Sequence, residues 1–210
     1  MVQQGSLVVI SGFSGVGKGT VIRKLMELSD SYALSVSATT RPPRQEEQNG
    51  REYFFMNEQQ FNEMIRKHEL IEFACYCDNY YGTPRKFVEE QMTLGKDVIL
   101  EIETQGAELI RRQYPDALLI FIMPPSGEEL RRRLSARGSE KEQVIRQRLE
   151  RAAKEAEHIE DYSYVFVNDD ADECAGRLNA LIQAQRSRMD RNTEMIGRVR
   201  TQLVDFLKGE

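Results

Sequence analysis

The residues from position 12 to position 20 have the types and spacing needed to bind a phosphate group. Gly12, Gly17 and Lys18 match the pattern G-x-x-x-x-G-K. Glycines let the backbone curl so that successive N–H groups point at an anion, and the lysine adds a positive charge within reach of the β- and γ-phosphates of a nucleotide. The segment predicts a phosphate-binding loop made of Gly12, Phe13, Ser14, Gly15, Val16, Gly17, Lys18, Gly19 and Thr20.

This loop departs from the strict pattern at one position. The pattern has Ser or Thr after the lysine, where the hydroxyl contacts Mg²⁺, whereas this chain has Gly19 there and Thr20 one residue later. We therefore expect Mg²⁺ to be held mainly by nucleotide phosphates and water, near Thr20 and a carboxylate such as Glu101, with no certain protein ligand. An ordinary glycine-rich turn between a strand and a helix is the alternative interpretation.

Two other parts of the chain are rich in arginine. Arg41 and Arg44 lie three residues apart in a polar, proline-broken segment, residues 37–44, that we predict to be a loop. Arg133, Arg137 and Arg148 lie in two predicted helices. Arginine makes bidentate contacts with phosphate oxygens, so both groups are candidate phosphate ligands. The alternative is that these arginines are solvated and, on the helices, paired with nearby glutamates.

A pair of carboxylates follows a buried-looking apolar run. Residues 97–103 end in Glu101 and Glu103, and a carboxylate at the carboxyl end of a parallel strand faces the ligand crevice of an α/β sheet. Either glutamate could orient a basic side chain or the water around Mg²⁺. A strand that simply ends in charge is equally compatible with this pattern.

The elements that must position these residues follow an α/β alternation. Apolar runs at 7–10, 32–36, 97–103, 117–123 and 164–169 predict strands, and the segments 21–30, 106–113, 140–158 and 171 onward predict helices. This order is typical of a parallel sheet with helices on both faces. Residues 37–83 interrupt it with predicted short strands at 53–55 and 70–76, a helix capped by Asn57, and a tight turn at 79–83, which indicates an inserted subdomain.

Composition excludes several classes of function. The chain has 210 residues, enough for one domain with insertions, and its net charge of −5 argues against a nucleic-acid binder driven by positive charge. An apolar run of about 18 residues, which a membrane span requires, does not occur. Three cysteines with a C-x-C pair fit neither a disulfide framework nor a metal knuckle, so we expect reduced thiols and a cytoplasmic protein.

From about residue 5 to about residue 184 the chain resembles the guanylate kinases. The most specific matches are Ser37-x-Thr39-Thr40-Arg41-x-x-Arg44, Ile71-Glu72, the run 79–83, the run 100–103 with Gln105-Gly106, Arg133-Leu134-x-x-Arg137-Gly138, and Val167-Asn168-Asp169. The resemblance implies an α/β fold of the P-loop nucleoside-monophosphate-kinase type. It implies a core of residues 1–36, 84–125 and 156–185, a GMP-binding subdomain at 37–83 and a helical lid at 126–155, with a C-terminal helical extension at 186–210.

The resemblance also implies residue roles. The loop and Asn168 would bind ATP, and Lys18, Arg44, Arg133, Arg137 and Arg148 would act on the transferred phosphoryl group. The GMP ligands would be Ser37, Arg41, Arg44, Tyr53, Glu72, Tyr81, Thr83 and Glu101. Glu72 and Thr83 would read the guanine base, because a carboxylate accepts from the guanine N1–H and N2–H₂, which adenine does not offer.

The implied activity is Mg²⁺-dependent, reversible transfer of the ATP γ-phosphoryl group to GMP, and to dGMP, giving ADP and a diphosphate. Two alternatives remain open: a non-catalytic binding module of the same fold, and a related kinase for another monophosphate. The implied partners are ATP and the acceptor nucleotide, without nucleic acid or membrane. The apolar residues of the last helix leave open a homo-oligomer formed through it.

Overall fold

The computed structural model describes residues 3–76, 78–136 and 142–208. The strands are β1 (Leu7–Gly12), β2 (Tyr32–Leu34), β3 (Ser37–Thr39), β4 (Tyr53–Phe55), β5 (Leu70–Tyr76), β6 (Asn79–Pro84), β7 (Asp97–Glu101), β8 (Leu118–Met123) and β9 (Tyr164–Val167). The helices are α1 (Lys18–Glu27), α2 (Glu58–Arg66), α3 (Arg85–Thr93), α4 (Thr104–Gln113), α5 (Gly127–Ser135), α6 (Glu142–Ala156), α7 (Ala171–Arg186) and α8 (Thr193–Lys208). Short 3-10 turns at Ile159–Asp161 and Met189–Asn192 precede β9 and α8.

The central sheet has five parallel strands in the order β2-β7-β1-β8-β9. Successive residues of β1 point to opposite faces, and both faces are covered. Val8 and Ile10 belong to one buried cluster, which includes residues of α1 and α7, whereas Leu7 and Val9 belong to another, which includes residues of α3 and α4. This double burial explains why the core strands are continuous apolar runs, as is usual for parallel sheets.

The inserted segment forms a second sheet of four strands in the order β4-β3-β6-β5. Its small core contains Ala38, Phe61 and Leu70. Helix α2 begins with a capping box, in which the Asn57 side chain accepts from the Gln60 amide and the Gln60 side chain accepts from the Asn57 amide. The predicted cap is therefore confirmed.

Two predicted irregular segments of the insert are strands, so those predictions were wrong. The loop predicted from residue 37 begins with β3, because Ala38 and Thr39 are fully buried and pair with β4 and β6. The turn predicted at 79–83 is β6, an antiparallel partner of β5. The chain reverses earlier than predicted, at Asp78, which has the left-handed φ of 59°.

A buried carboxylate at the start of β7 binds both the residue before β1 and the last residue of α7. Asp97, at the start of β7, is fully buried and accepts from the Ser6 amide at 2.7 Å. Its second oxygen accepts from the Arg186 guanidinium at 2.9 Å. None of the helices among the described residues is long and apolar enough to cross a membrane.

Candidate active site

The phosphate loop connects β1 to α1 at the carboxyl edge of the central sheet. A Cβ at Gly12 would lie 2.2 Å from the Ile122 carbonyl oxygen, so only glycine permits this approach to β8. Gly17 caps α1 with a left-handed φ of 93°, which glycine adopts without strain. The free amides at the start of α1 therefore face the same space as the loop, which is the arrangement that binds anions.

Lys18 is the first residue of α1 and turns back toward the loop. Its ammonium group donates to the Gly12 carbonyl oxygen at 2.6 Å. The charge is thus held by the loop itself while it lines the cleft beside it. A nucleotide phosphate reaching the loop would meet this charge and the backbone amides together.

A cleft of about 550 Å³ opens between the phosphate loop and the inserted sheet. It brings together most of the sequence-predicted residues from distant parts of the chain. These are Phe13, Ser14, Gly15, Gly17, Lys18, Gly19, Thr20, Ser37, Arg41, Arg44, Tyr53, Glu72, Tyr81 and Glu101.

At one part of this cleft lies a buried carboxyl group. Glu72 is 4% exposed, and Thr83, fully buried on the neighbouring strand, donates its hydroxyl to Glu72 Oε1 at 2.6 Å. Burial raises the pKa of Glu72 to about 7, and the hydrogen bonds from Thr83 oppose this shift. A Cβ at Gly106 would lie 2.5 Å from Glu72 Oε2, so a glycine in α4 provides the space for this carboxyl group.

The carboxylate of Glu47 holds the two arginines of the cleft, Arg41 and Arg44, near each other. Arg41 pairs with Glu47 at 2.9 Å, and its guanidinium lies 5.5 Å from the ring centre of Tyr53. Glu47 also accepts from the Arg44 backbone amide at 2.8 Å, and this bond is the main reason why the pKa of Glu47 is lowered. Arg41 is therefore held in a fixed orientation at the cleft.

The two glutamates after β7 differ in their surroundings. Glu101 is exposed at the cleft; partial desolvation by the surrounding protein raises its pKa, and the charge of Lys18 opposes the shift. Glu103 also lines the cleft, but its carboxylate pairs with Arg151 of α6 at 3.0 Å. Of the two, Glu101 is the one whose charge is coupled to the loop lysine.

Known proteins resemble this chain in both sequence and fold. The family model described as guanylate kinase matches residues 4–185. The guanylate kinase of Caldanaerobacter subterraneus subsp. tengcongensis is 44% identical over 202 residues, which cover 96% of this chain and 98% of that protein. The guanylate kinase of Halalkalibacterium halodurans is 46% identical, with 91% of this chain and 94% of that protein covered. The chain belongs to the guanylate kinase family.

A solved structure supports the fold of this guanylate kinase family member. The crystal structure of guanylate kinase from Anaplasma phagocytophilum has a TM-score of 0.75 and 36% identity, and the match covers 90% of each chain. The predicted α/β fold, with a parallel core sheet and helices on both faces, is confirmed. The predicted P-loop kinase class agrees with the loop geometry.

Some predicted site residues lie behind the cleft of this guanylate kinase family member. Asn168 is buried, and its side-chain amide donates to the Val16 carbonyl oxygen at 2.8 Å. It therefore stabilises the conformation of the phosphate loop. Arg133 donates to the carbonyl oxygens of Val16 and Asn168 and pairs with Glu129 at 2.6 Å.

The remaining predicted residues are distributed as follows. Thr83 is not among the residues that line the cleft, but its hydroxyl donates to Glu72, which is one of them. Gly12 and Val16 are buried within the loop. Arg148 lies in α6 and is not among the residues that line the cleft. Arg137 lies outside the described residues.

Four polar residues of the cleft were not predicted: Arg23, Ser35, Glu47 and Glu52. A signal for Glu47 exists in the sequence, because it follows Arg44 by three residues in a turn and can reach both arginines. Arg23 and Ser35 lack such a signal, since a single arginine on a helix and a single serine after a strand occur in any α/β protein.

Proposed function

We propose that this chain transfers the γ-phosphoryl group of ATP to GMP, reversibly, to give ADP and GDP. The observation that carries the proposal is the single cleft in which a phosphate loop with Lys18 faces Arg41, Arg44 and the buried Glu72. A phosphate site at one side, and a second site with both phosphate and base ligands at the other, are what a transfer between two nucleotides requires. Family membership makes GMP the expected acceptor.

Glu72 is proposed to select the guanine base. An ionised carboxylate accepts from the guanine N1–H and N2–H₂, whereas adenine would leave this buried acceptor without a partner. Burial raises the pKa of Glu72 to about 7, so the carboxyl group is partly protonated near neutral pH. We infer that guanine binding favours the ionised form, because only that form accepts two hydrogen bonds from the base.

The acceptor phosphate is proposed to lie between Arg41, Arg44, Ser37, Tyr53 and Tyr81. The guanidinium of Arg41 keeps some of its five donors for a ligand while it pairs with Glu47. The hydroxyls of the serine and of both tyrosines line the same cleft and can donate to phosphate oxygens. The proposed ligands bind the base and the phosphate rather than the ribose. We therefore propose that dGMP is also accepted.

The transfer itself needs positioning rather than covalent catalysis. An oxygen of the GMP phosphate attacks the γ-phosphorus in line with the bond to the leaving ADP oxygen, and an ionised phosphate needs no general base. Lys18 and the loop amides stabilise charge on the β- and γ-phosphates. Arg44 and the arginines of the lid, Arg133, Arg137 and Arg148, are proposed to neutralise charge on the transferred group.

The residues around the loop fit Mg²⁺ bound chiefly through the nucleotide. Mg²⁺ typically keeps several waters and takes one or two carboxylates plus substrate phosphates, and the described residues contain no cluster of three or more acidic, histidine or cysteine ligands. Glu101 and the Thr20 hydroxyl line the cleft and would contact the metal or its waters. When bound, Mg²⁺ would neutralise phosphate charge and align the two nucleotides.

We propose that the chain works as a core, an insert and a lid. The core would be residues 1–36, 84–125 and 156–185, the GMP-binding insert 37–83, the lid 126–155 and the extension 186–210. Closure of insert and lid over the core would exclude water and limit ATP hydrolysis. We further propose a cytoplasmic location, since Cys75 and Cys174 are free thiols, and self-association through the extension.

The proposed role of Lys18 is tested by Lys18→Ala, with Lys24→Ala as the matched control. Both lysines lie on α1, but Lys24 pairs with Asp172 away from the cleft. We expect Lys18→Ala to lose ADP release by about a hundredfold or more, which corresponds to roughly 3 kcal/mol of transition-state stabilisation, while calorimetry still detects GMP binding. Loss of GMP binding in Lys18→Ala, or equal losses of activity in both variants, would contradict the assignment.

A further inference from the structure

One side of helix α6 carries charged residues at positions that are buried or half-buried. Arg148 and Arg151 are half-buried, and Glu155 is buried together with Ala152. Residues three or four positions apart lie on the same side of a helix. Arg148, Arg151 and Glu155 therefore form one row along α6, on the side that Ala152 packs into the core; we call it the inner row.

Arg151 connects the inner row to the central sheet. Its Nε atom donates to Glu155 Oε1 at 2.7 Å, one turn further along α6, and its terminal nitrogen donates to Glu103 Oε2 at 3.0 Å. Glu103 follows β7 and lines the cleft beside the phosphate loop. One guanidinium thus joins α6 to the edge of the sheet at which the nucleotide cleft opens.

The burial of Glu155 is not explained by stability alone. Its side chain is 8% exposed, and its Oε2 atom has no hydrogen-bond partner among the described residues. Because the cost of burying charges can exceed the gain from pairing them, an apolar residue at this position would hold α6 against the core at least as well. What Glu155 adds is direction: it fixes the Nε side of Arg151, so that a terminal nitrogen points at Glu103.

A second arginine of the same helix shows the difference. Arg146 also pairs with a glutamate four residues later, Glu150, at 3.0 Å, but these side chains are 81% and 59% exposed. Such a surface pair contributes little to stability. The pair of Arg151 and Glu155 is instead largely buried and extends to Glu103 of the core.

We propose that Arg151 is a positioning residue for the phosphoryl transfer: held by Glu155 and Glu103, it fixes α6 so that Arg148 is presented to the transferred group. Arg148 lies one turn before Arg151, about 4.5 Å along the helix axis at 1.5 Å per residue. A shift of α6 would move Arg148, and a misplacement of about 1 Å can cost about a hundredfold in rate. The inference rests on the proposed function and adds to it a residue that itself contacts no nucleotide.

Arg151→Gln tests the positioning role, with Arg146→Gln as the matched control. Each change removes one arginine of α6 that pairs with a glutamate four residues later. We expect Arg151→Gln to lower kcat by about tenfold or more with each KM changed by less than about twofold, because the lost interaction acts in the transition state. Arg146→Gln should turn over as the wild type does. An unchanged kcat in Arg151→Gln, or an equal fall in both variants, overturns the proposal.

The conservative variant Arg151→Lys measures how much of the role depends on the shape of the guanidinium. Lysine keeps the charge but lacks the planar group of donors that joins two carboxylates. We expect a kcat between those of the wild type and Arg151→Gln. A kcat of Arg151→Lys as low as that of Arg151→Gln, with Arg146→Gln unaffected, still requires the two-carboxylate contact, whereas full activity would show that charge alone suffices and would overturn the proposed geometry.

A double variant tests whether Arg151 acts through Arg148. If it does, Arg148→Gln with Arg151→Gln should lose no more kcat than Arg148→Gln alone, because a positioning residue has nothing left to position. Effects of independent residues multiply instead. Losses that multiply would therefore overturn the action through Arg148.

Hydrogen exchange of the α6 amides tests the contact without reference to activity. In the chain without nucleotides, Arg151→Gln should raise these exchange rates by about threefold or more, because α6 opens more easily. Glu103→Gln should do the same while it leaves the pair of Arg151 and Glu155 intact, which guards against a variant that merely misfolds. Rates equal to those of the wild type in both variants overturn the proposed contact. A wild type without kinase activity contradicts the proposed function, whereas an active wild type with unchanged kcat in Arg151→Gln contradicts this inference alone.

Discussion

Glu72 is an ionisable carboxyl group in a place that is almost fully shielded from water. Its carboxyl group is almost fully buried beside Thr83, and its pKa is raised from 4.5 to about 7. Between those two pH values the folded protein binds a proton that the unfolded chain releases. Stability contributed by this group is therefore present at low pH and is lost as pH rises through the window.

Glu72→Gln should remove the destabilisation that ionising this buried carboxyl group causes at high pH. At pH 8 we expect the variant to be more stable than the wild type by roughly 2 to 4 kcal/mol, since one pKa unit corresponds to about 1.4 kcal/mol, and the difference should shrink toward pH 4.5. Urea unfolding of both proteins at the two pH values measures it. A variant that is less stable than the wild type at pH 8 would show that the ionised carboxylate is well solvated or paired.

Gly106 is predicted to set the position of Glu72. A methyl group at this place would lie 2.5 Å from Glu72 Oε2, so Gly106→Ala must displace the carboxyl group. We expect kcat/KM for GMP to fall about tenfold, which corresponds to 1.4 kcal/mol, with KM for ATP unchanged. Gly176→Ala in α7 is the control, because no atom beyond its own turn of helix lies within 4 Å of the added carbon. Identical kinetics in both variants would refute this role of Gly106.

Residue types and spacing were enough to predict most of the cleft. Lys18 and the glycines have a fixed local pattern, and Arg41, Arg44 and Glu72 come from motifs of the family. Glu47 was missed because an arginine in a loop can pair with any nearby acid, and the partner is decided by how the turn folds. Whether Arg148 reaches the transferred phosphate stays a prediction.

At the scale of elements, the core was predictable and the insert was less so. The central strands β1 and β8 are buried on both faces, which gives long apolar runs, whereas β3 and β6 are rich in hydroxyl and aromatic side chains. Their strand conformation comes from pairing with each other across 40 or so residues of chain, as in Thr39 with Tyr81, and local sequence does not report such pairing.

The capping box of α2 makes a prediction about the insert. Asn57→Ala removes the side chain that accepts from the Gln60 amide, and such a loss costs about 1 kcal/mol. Asn62→Ala, at an exposed position inside the same helix, is the control and should leave stability equal or slightly higher. Thermal unfolding followed by circular dichroism compares the two; a cap variant as stable as the control would show that packing of Phe61 alone holds α2.

At the scale of the whole molecule, the cleft is lined by residues from two different sheets. The central sheet presents the phosphate loop and Glu101, and the inserted sheet presents Arg41, Tyr81 and Glu72. Neither sheet alone presents residues of both proposed nucleotide sites. We therefore propose that the inserted residues 37–83, together with the phosphate loop of the core, make the cleft a site for two nucleotides.

The most direct test of this account is a coupled ADP-release assay with Mg-ATP and a panel of GMP, dGMP, AMP, CMP and UMP. We predict turnover with GMP and dGMP that far exceeds turnover with AMP, and a loss of this preference in Glu72→Gln, because the buried acceptor is what distinguishes guanine. Turnover with a different acceptor would be consistent with kinase activity but would contradict the proposal that Glu72 selects guanine. Absence of ADP release with every acceptor, from a protein shown to be folded, would contradict the central claim.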